Sequence, residues 1–359
     1  MDWSDLLNFA KKQAIVGIFW QGIRALPDTI ENKPDREVLI NWLTTVRHIQ
    51  IRNRQLNRET ERVTAFFQKK GFSTCLLKGQ GNNLNYPDQS LRTSGDIDLW
   101  ICPCQETAGS KRALKQVISF CRKYVPDAKA CYHHIDFLDI DGMPVEIHYR
   151  PSYLHHPLYN SRLQTFFAQY STVQFRHRTV WPEEKVAVPT IPFNLIYQLV
   201  HIYNHVIQGG IGLRQFIDYY YLLKNAHLDA QSRQRLAAKT NFLGLMPIAR
   251  AVAWVMVEAL GLNEKKLFAS PHSASGHFLL EDILKGGNFG TYHFSHSPYN
   301  SNRKKAPAFW HNLDRLLRDA RLVFYFPSEC LWEPEFRIFH YFWRMKHKTI
   351  NWHSLLWKG

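Results

Sequence analysis

Residues 76–101 read LLKGQGNNLNYPDQSLRTSGDIDLWI, and the last six positions decide the fold. Side chains two apart on a strand point to the same face. Asp96 and Asp98 therefore share one side of a strand, while Ile97, Leu99 and Ile101 share the other. The apolar side calls for helices to cover it. The acidic side brings together two carboxylates, which repel unless a cation lies between them. Such hard oxygen donors suit Mg²⁺ (or Mn²⁺), which takes one or two protein carboxylates and adds water and substrate phosphate. An Asp-x-Asp alone is weak evidence, because loops and exposed strands carry many.

Working outward, FSTCLL (72–77) is a β-prone run, and KGQGNNLNYP turns into a short helix ended by Pro87. Residues 107–124 carry helical spacing. HHIDFLDI and PVEIHY alternate around Asp141-Gly142, a hairpin-turn dipeptide. In the second of these strands Glu146 and His148 share one face, opposite Val145, Ile147 and Tyr149. If that strand lies beside DIDLWI with its apolar side on the same helices, Glu146 points towards the two aspartates. Three carboxylates on neighbouring strands can hold two cations about 3.5–4 Å apart, which suits in-line displacement at phosphorus. The expected fold is α+β, a small mixed sheet with helices on one side.

The flanks read as helix. Ser4 is a candidate cap for a first helix running to about Leu26, and Asp35 for a second that ends at Gly71. In the second, Leu39, Trp42, Val46, Ile49, Leu56, Val63 and Phe67 keep a three-or-four spacing. Its outer face carries Arg47, Arg52, Arg54, Arg58 and Arg62, either a solvated face or a nucleic-acid ridge. Residues 172–190 look like two more β runs. Beyond Pro192, residues 191–208, 213–225, about 230–240 and 247–261 show helical spacing, residues 265–310 are loop-rich, and aromatic-rich helix follows. Three regions result: an N-terminal helical segment (1–70), a catalytic-type domain (71–191) and a mostly helical domain (192–359).

Composition narrows the partners. Of 359 residues 45% are hydrophobic, which excludes a disordered chain. The longest apolar run, AVAWVMVEALGL, is too short to cross a bilayer and contains Glu258. With no signal peptide legible, the expectation is a cytoplasmic protein without membrane association. Six cysteines do not make a disulfide framework in a chain this long, and Cys102-Pro-Cys104 lacks the second pair a zinc site needs. A net charge of +15 points to acidic partners: nucleotides, nucleic acid or anionic lipid.

The stretches LLKGQGNNLNYPDQSLRTSGDIDLWI and VEIHYRP resemble a bacterial family of uncharacterised nucleotidyltransferases within the DNA polymerase β-like superfamily. The shared features are a Lys-Gly turn, a Tyr-Pro, an Arg before Asp-Ile-Asp-Leu, and an acid-x-His strand. IYNHVIQGGIGLRQFIDYYYLL and ILKGGNFG extend the resemblance over roughly residues 70–290. It implies metal positions at Asp96 and Asp98, a third carboxylate at Glu146, and a nucleoside triphosphate donor. The superfamily's phosphate-cradling Gly-Ser is here Lys78-Gly79, where glycine still admits close backbone approach and Lys78 supplies charge in place of the hydroxyl.

Several residues have more than one reading. Arg92 is a bidentate phosphate ligand or a loop arginine. His148 orients Glu146, touches substrate, or is an ordinary strand histidine. His201 and His205 lie one turn apart but lack the glutamate of H-E-x-x-H. With Arg214 and Asp218, His201 and His205 form either a polar wall facing the nucleotide or a helix–helix network. Asp139-Ile140-Asp141 fits a turn. Gly209–Gly212 follows a helix and is no dinucleotide fingerprint, and the 286–290 glycine loop is a tight turn or a substrate loop. The expected activity is metal-dependent transfer of a nucleoside monophosphate to an unknown acceptor hydroxyl or phosphate, with RNA the less favoured acceptor. The alternatives are a non-catalytic nucleotide- or RNA-binding module and a protein-interaction partner.

Overall fold

The computed structural model describes residues 2–27, 29, 33–181, 185–288 and 316–350. Its centre is a four-stranded mixed sheet of β1 (Phe72–Leu77), β2 (Ile97–Pro103), β3 (His134–Ile140) and β4 (Met143–His148), in the order β1-β2-β4-β3. β1 runs antiparallel to β2, β2 parallel to β4, and β3 antiparallel to β4. The register sets Asp98 opposite Glu146 on one side and Leu77 on the other. The hairpin turns at Asp141 and Gly142, whose φ values of 51° and 71° are the paired positive angles of a tight hairpin.

β3 carries a bulge between Asp136 and Leu138, and on the central strand β2 both faces are covered rather than one. Leu76, Leu99, Ile101, Val145 and Ile147 pack against α3 (Arg36–Lys69) and α5 (Lys111–Tyr124), between which the chain forms the short α4 (Gly79–Asn83), through Leu56, Val63, Phe67 and Val117. Trp100 and Cys102, on the same face as Asp98, are buried as well. Trp100 stacks on Phe193 with centroids 5.9 Å apart, so α7 (Ile191–Gln208) lies over the acidic face. The sequence hides this because Asp98 and Trp100 occupy one face, and a mixed pattern looks solvated.

At the N-terminus the expected single helix is two, α1 (Trp3–Lys12) and α2 (Val16–Arg24). Asp2, not Ser4, caps the first, accepting from the Ser4 amide at 2.7 Å. The break frees Gln13, which is fully buried and accepts from Leu213 N while donating to Ile283 O. Asp35 caps α3 as expected, and Gly71 follows the helix end at φ 84°. The first of the two β runs expected over 172–190 is the last turn of α6 (Pro157–Arg176), where burial of Phe167, Ser171 and Gln174 on one face overrides the β-prone Thr172-Val173. A separate hairpin, β5 (Arg178–Val180) with β6 (Lys185–Ala187), follows.

The helices after Pro192 form where their spacing places them: α7, α8 (Leu213–Asn225), α9 (Ala230–Phe242) and α10 (Met246–Trp254). A further helix, α11 (Ser273–Gly286), occupies part of the stretch expected to be loop; Phe289 and Gly290 of the glycine loop lie outside the described residues. Pro327–Lys346 supplies the aromatic C-terminal helix. One hydrophobic core runs from α1 and α2 through Cys75, Leu77 and Trp100 into α7–α11, and a second fills the opposite face of the sheet. Among the described residues no helix is long and apolar enough to cross a membrane.

Candidate functional site

Between the acidic face of the sheet and helices α7 and α8 lies a cavity of about 350 Å³. Lys78, Gly79, Arg92, Asp96, Asp98 and Glu146 line it from the sheet side. His205, Arg214 and Asp218 line it from the helical side. Every site residue singled out from the sequence is therefore in one place except His148, which is fully buried behind the wall.

Asp98 is the hub. It is 1% exposed, and its Oδ1 lies 2.8 Å from Lys78 Nζ and 2.8 Å from His148 Nε2. Its Oδ2 is buried with no hydrogen-bond partner. Burial alone would lower the Lys78 ammonium, but Asp98, with Glu146 and Asp96 nearby, holds it well above the ordinary lysine value. Lys78 begins the turn with φ 44°, and Gly79 follows at φ 32°. A Cβ on Gly79 would sit 3.1 Å from the Asp96 carbonyl oxygen, so glycine lets this turn approach the start of β2. Asp96 is the residue before the strand and is half-buried.

Glu146 faces His148, His134 and Lys78. Burial would raise its carboxyl, but the hydrogen bond to His148, then His134 and Lys78, bring it down to about 2. Its Oε2 lies 3.4 Å from His148 Nε2 and 3.5 Å from His134 Nδ1. His134 is charged more readily than usual: burial opposes this, but Asp136, Cys131 and Glu146 raise it well above 6.5. His133 goes the other way, lowered by burial and then by His134 and His148. On the helical side burial lowers His201, and with Lys78 and Arg214 it lowers His205 to about 4, so both imidazoles are neutral at pH 7.

Arg92 and Asp218 are spent on each other. Arg92 donates through Nε and Nη2 to the two carboxylate oxygens of Asp218 at 2.6 and 2.7 Å. Tyr86 and Asn82 complete that carboxylate, and Ser94 takes Arg92 Nη1. Arg214 donates to the Thr93 carbonyl at 3.0 Å, and burial with Arg92 nearby lowers its pKa. All three residues also border the cavity.

Among the described residues, two clusters of metal-ligating side chains have all their ligand atoms within 4.8 Å of one another: Cys131–His133–His134 and His134–Glu146–His148. The Asp96–Asp98–Glu146 set is not among them. Sequence reasoning passed over His133 and His134 at the head of β3. The available signal was the His-His pair facing the acid-x-His strand across a two-residue turn, which pairs His134 with His148.

A family model described as an uncharacterised nucleotidyltransferase matches residues 1–261. No curated protein matches the chain. Among solved structures, the crystal structure of an antigenic nucleotidyltransferase-like protein from Paracoccidioides brasiliensis is similar over 62% of this chain and 96% of that one. The identity is 14% and the TM-score 0.35, a likeness too weak to bear on the site.

Proposed function

The chain belongs to the family of uncharacterised nucleotidyltransferases, matched over residues 1–261, and from that premise we propose that its cavity transfers a nucleoside monophosphate from a nucleoside triphosphate to an acceptor hydroxyl or phosphate. The observation that carries the reading is Asp98: a buried carboxylate in the cavity wall with one oxygen held by Lys78 and His148 and the other without a partner. An unsatisfied buried carboxylate oxygen is costly, and a hard cation satisfies it. Asp96, Asp98 and Glu146 offer the oxygen donors that Mg²⁺ or Mn²⁺ takes, so the residues fit the group. Its chemistry there would be charge neutralisation on the triphosphate and a lower pKa for the acceptor hydroxyl.

The chain's own residues have separate tasks in this reading. Lys78, held charged at the mouth of the Gly79 turn, meets the outer phosphates as the bond between the α-phosphorus and the leaving pyrophosphate breaks. His148 fixes the orientation of Asp98 from behind. Glu146, with a pKa of about 2, is a poor general base, because an effective one titrates near the working pH. Its part is that of a carboxylate ligand on the acceptor side. One observation favours a second reading, a non-catalytic nucleotide-binding module: the Lys78 ammonium already neutralises Asp98 internally.

Calorimetry with Mg²⁺ and a triphosphate that cannot be cleaved between its α- and β-phosphorus tests the binding step. The expected result is saturable binding that Asp96→Asn and Asp98→Asn each weaken at least about tenfold, or about 1.4 kcal/mol. Unchanged affinity in the double variant would remove the carboxylates from the site.

A further inference from the structure

Histidine crowds this site beyond what carboxylate-bound magnesium uses. His134 and His148 are register partners across β3 and β4, and Glu146 shares the face of His148 on β4. Glu146 Oε2 lies 3.5 Å from His134 Nδ1 and 3.4 Å from His148 Nε2, and all three ligand atoms fall within 4.8 Å of one another. Metal bonds of about 2.0–2.1 Å to imidazole and carboxylate, set at tetrahedral angles, place ligand atoms about 3.3–3.4 Å apart. Two edges of the triangle thus already have the size a small tetrahedral ion needs.

The surroundings support the same ion. His134 Nε2, the ring nitrogen away from Glu146, lies 3.3 Å from Asp136 Oδ1. A carboxylate behind a histidine is the arrangement that fixes the tautomer of a metal ligand. His148 presents Nε2 to Glu146 and Asp98, and its ring packs against His133 and His134. His134 and Glu146 both border the cavity, which gives an ion a way in.

We propose that His134, Glu146 and His148 bind one divalent transition-metal ion, zinc or cobalt in preference to magnesium, beside the aspartate pair. Imidazole nitrogen selects the later first-row metals, whereas magnesium favours all-oxygen shells. Binding exchanges two contacts for metal bonds: His134 Nδ1 leaves His133 Nε2, now at 3.0 Å, and His148 Nε2 leaves Asp98 Oδ1. The site shares Glu146 and His148 with the transfer reading, His148 exchanging its contact to Asp98 for the ion, but does not require that reaction.

The test uses the full chain stripped of metal, titrated with Zn²⁺ against a chromophoric chelator and with Co²⁺ by its visible d–d absorption. We expect one equivalent of Zn²⁺ bound more tightly than Mn²⁺ and not displaced by excess Mg²⁺. His134→Ala and Glu146→Gln should weaken Zn²⁺ at least about tenfold, since even the partners behind a ligand are worth about 10–100-fold. The cobalt band should disappear in His134→Ala. Because His148 is fully buried, these two variants are preferred, with thermal melts confirming that they fold. Cys131→Ser should leave zinc in place, and Asp98→Asn should keep zinc while losing magnesium–triphosphate binding, which separates this site from the proposed transfer site. Zinc affinity unchanged in His134→Ala and Glu146→Gln, zinc lost in Cys131→Ser instead, or magnesium bound as tightly as zinc would overturn the proposal.

Discussion

Asp98 and Asp218 are both buried at the cavity wall, yet only Asp218 has all of its acceptor capacity filled. Its Oδ1 accepts from Tyr86 and Arg92, and its Oδ2 from Arg92 and Asn82. A fully bonded buried pair is structural, and breaking it by removing one partner costs about 3–5 kcal/mol because the other charge is stranded. Asp218→Asn should therefore lower the unfolding free energy measured in urea by about that amount, with Arg92→Met in the same chain recovering part of the loss. A loss under about 1 kcal/mol, the range of an exposed pair, would show that Arg92 has solvent or another partner to turn to. At this scale the sequence was half legible. Period-two alternation placed Asp98 and Glu146 on one face of adjacent strands, and the register confirms them as neighbours. It said nothing of the Arg92–Asp218 pair, 126 residues apart, because no local pattern encodes which distant helix covers a loop.

Among the elements, α3 was the best read and the most ambiguous in role. Its buried stripe includes Trp42, Val46, Leu56, Val63 and Phe67 at the expected spacing. Two of the five arginines on its outer side are engaged within the protein. Arg52 donates to the carbonyls of Asp141 and Gly142 in the β3–β4 turn, and Arg62 pairs with Glu59 at 2.9 Å. Arg47, Arg54 and Arg58 remain as exposed charges. The sheet face that α3 covers carries Leu76 and Leu99, whereas Asp98 lies on the opposite face. Three single-strand phosphate contacts would give log affinity against log salt a slope of about −0.7 × 3, roughly −2. RNA binding should be no steeper than that, with Arg54→Glu and Arg58→Glu leaving transfer to the true acceptor unchanged. A slope near −3 or steeper, abolished by those reversals together with transfer, would make this helix a nucleic-acid interface. Of the elements that escaped the sequence, α11 among them, α6 and the α1–α2 break did so because tertiary burial overrode local propensity.

For the whole molecule, the decisive feature is that helices from both ends of the chain close over one sheet. The core that contains α1 and α2 also contains α7 to α11 and the Trp100 side of β2. The cavity exists because that packing stops at the polar residues of α7 and α8 instead of sealing the acidic face. Its net composition, cationic Lys78 beside carboxylates, suits a ligand that carries both phosphate and metal. The measurement that tests this most directly is incubation of the full chain with each nucleoside triphosphate labelled at the α-phosphate, with Mg²⁺ and an extract of its native cell. Label from at least one triphosphate should enter an acceptor with one pyrophosphate released per label, and Asp98→Asn should lower the rate roughly 10²-fold or more, several kcal/mol of lost charge stabilisation. Label that stays on the nucleotide with all four triphosphates, or transfer that Asp98→Asn leaves at full rate, would contradict it.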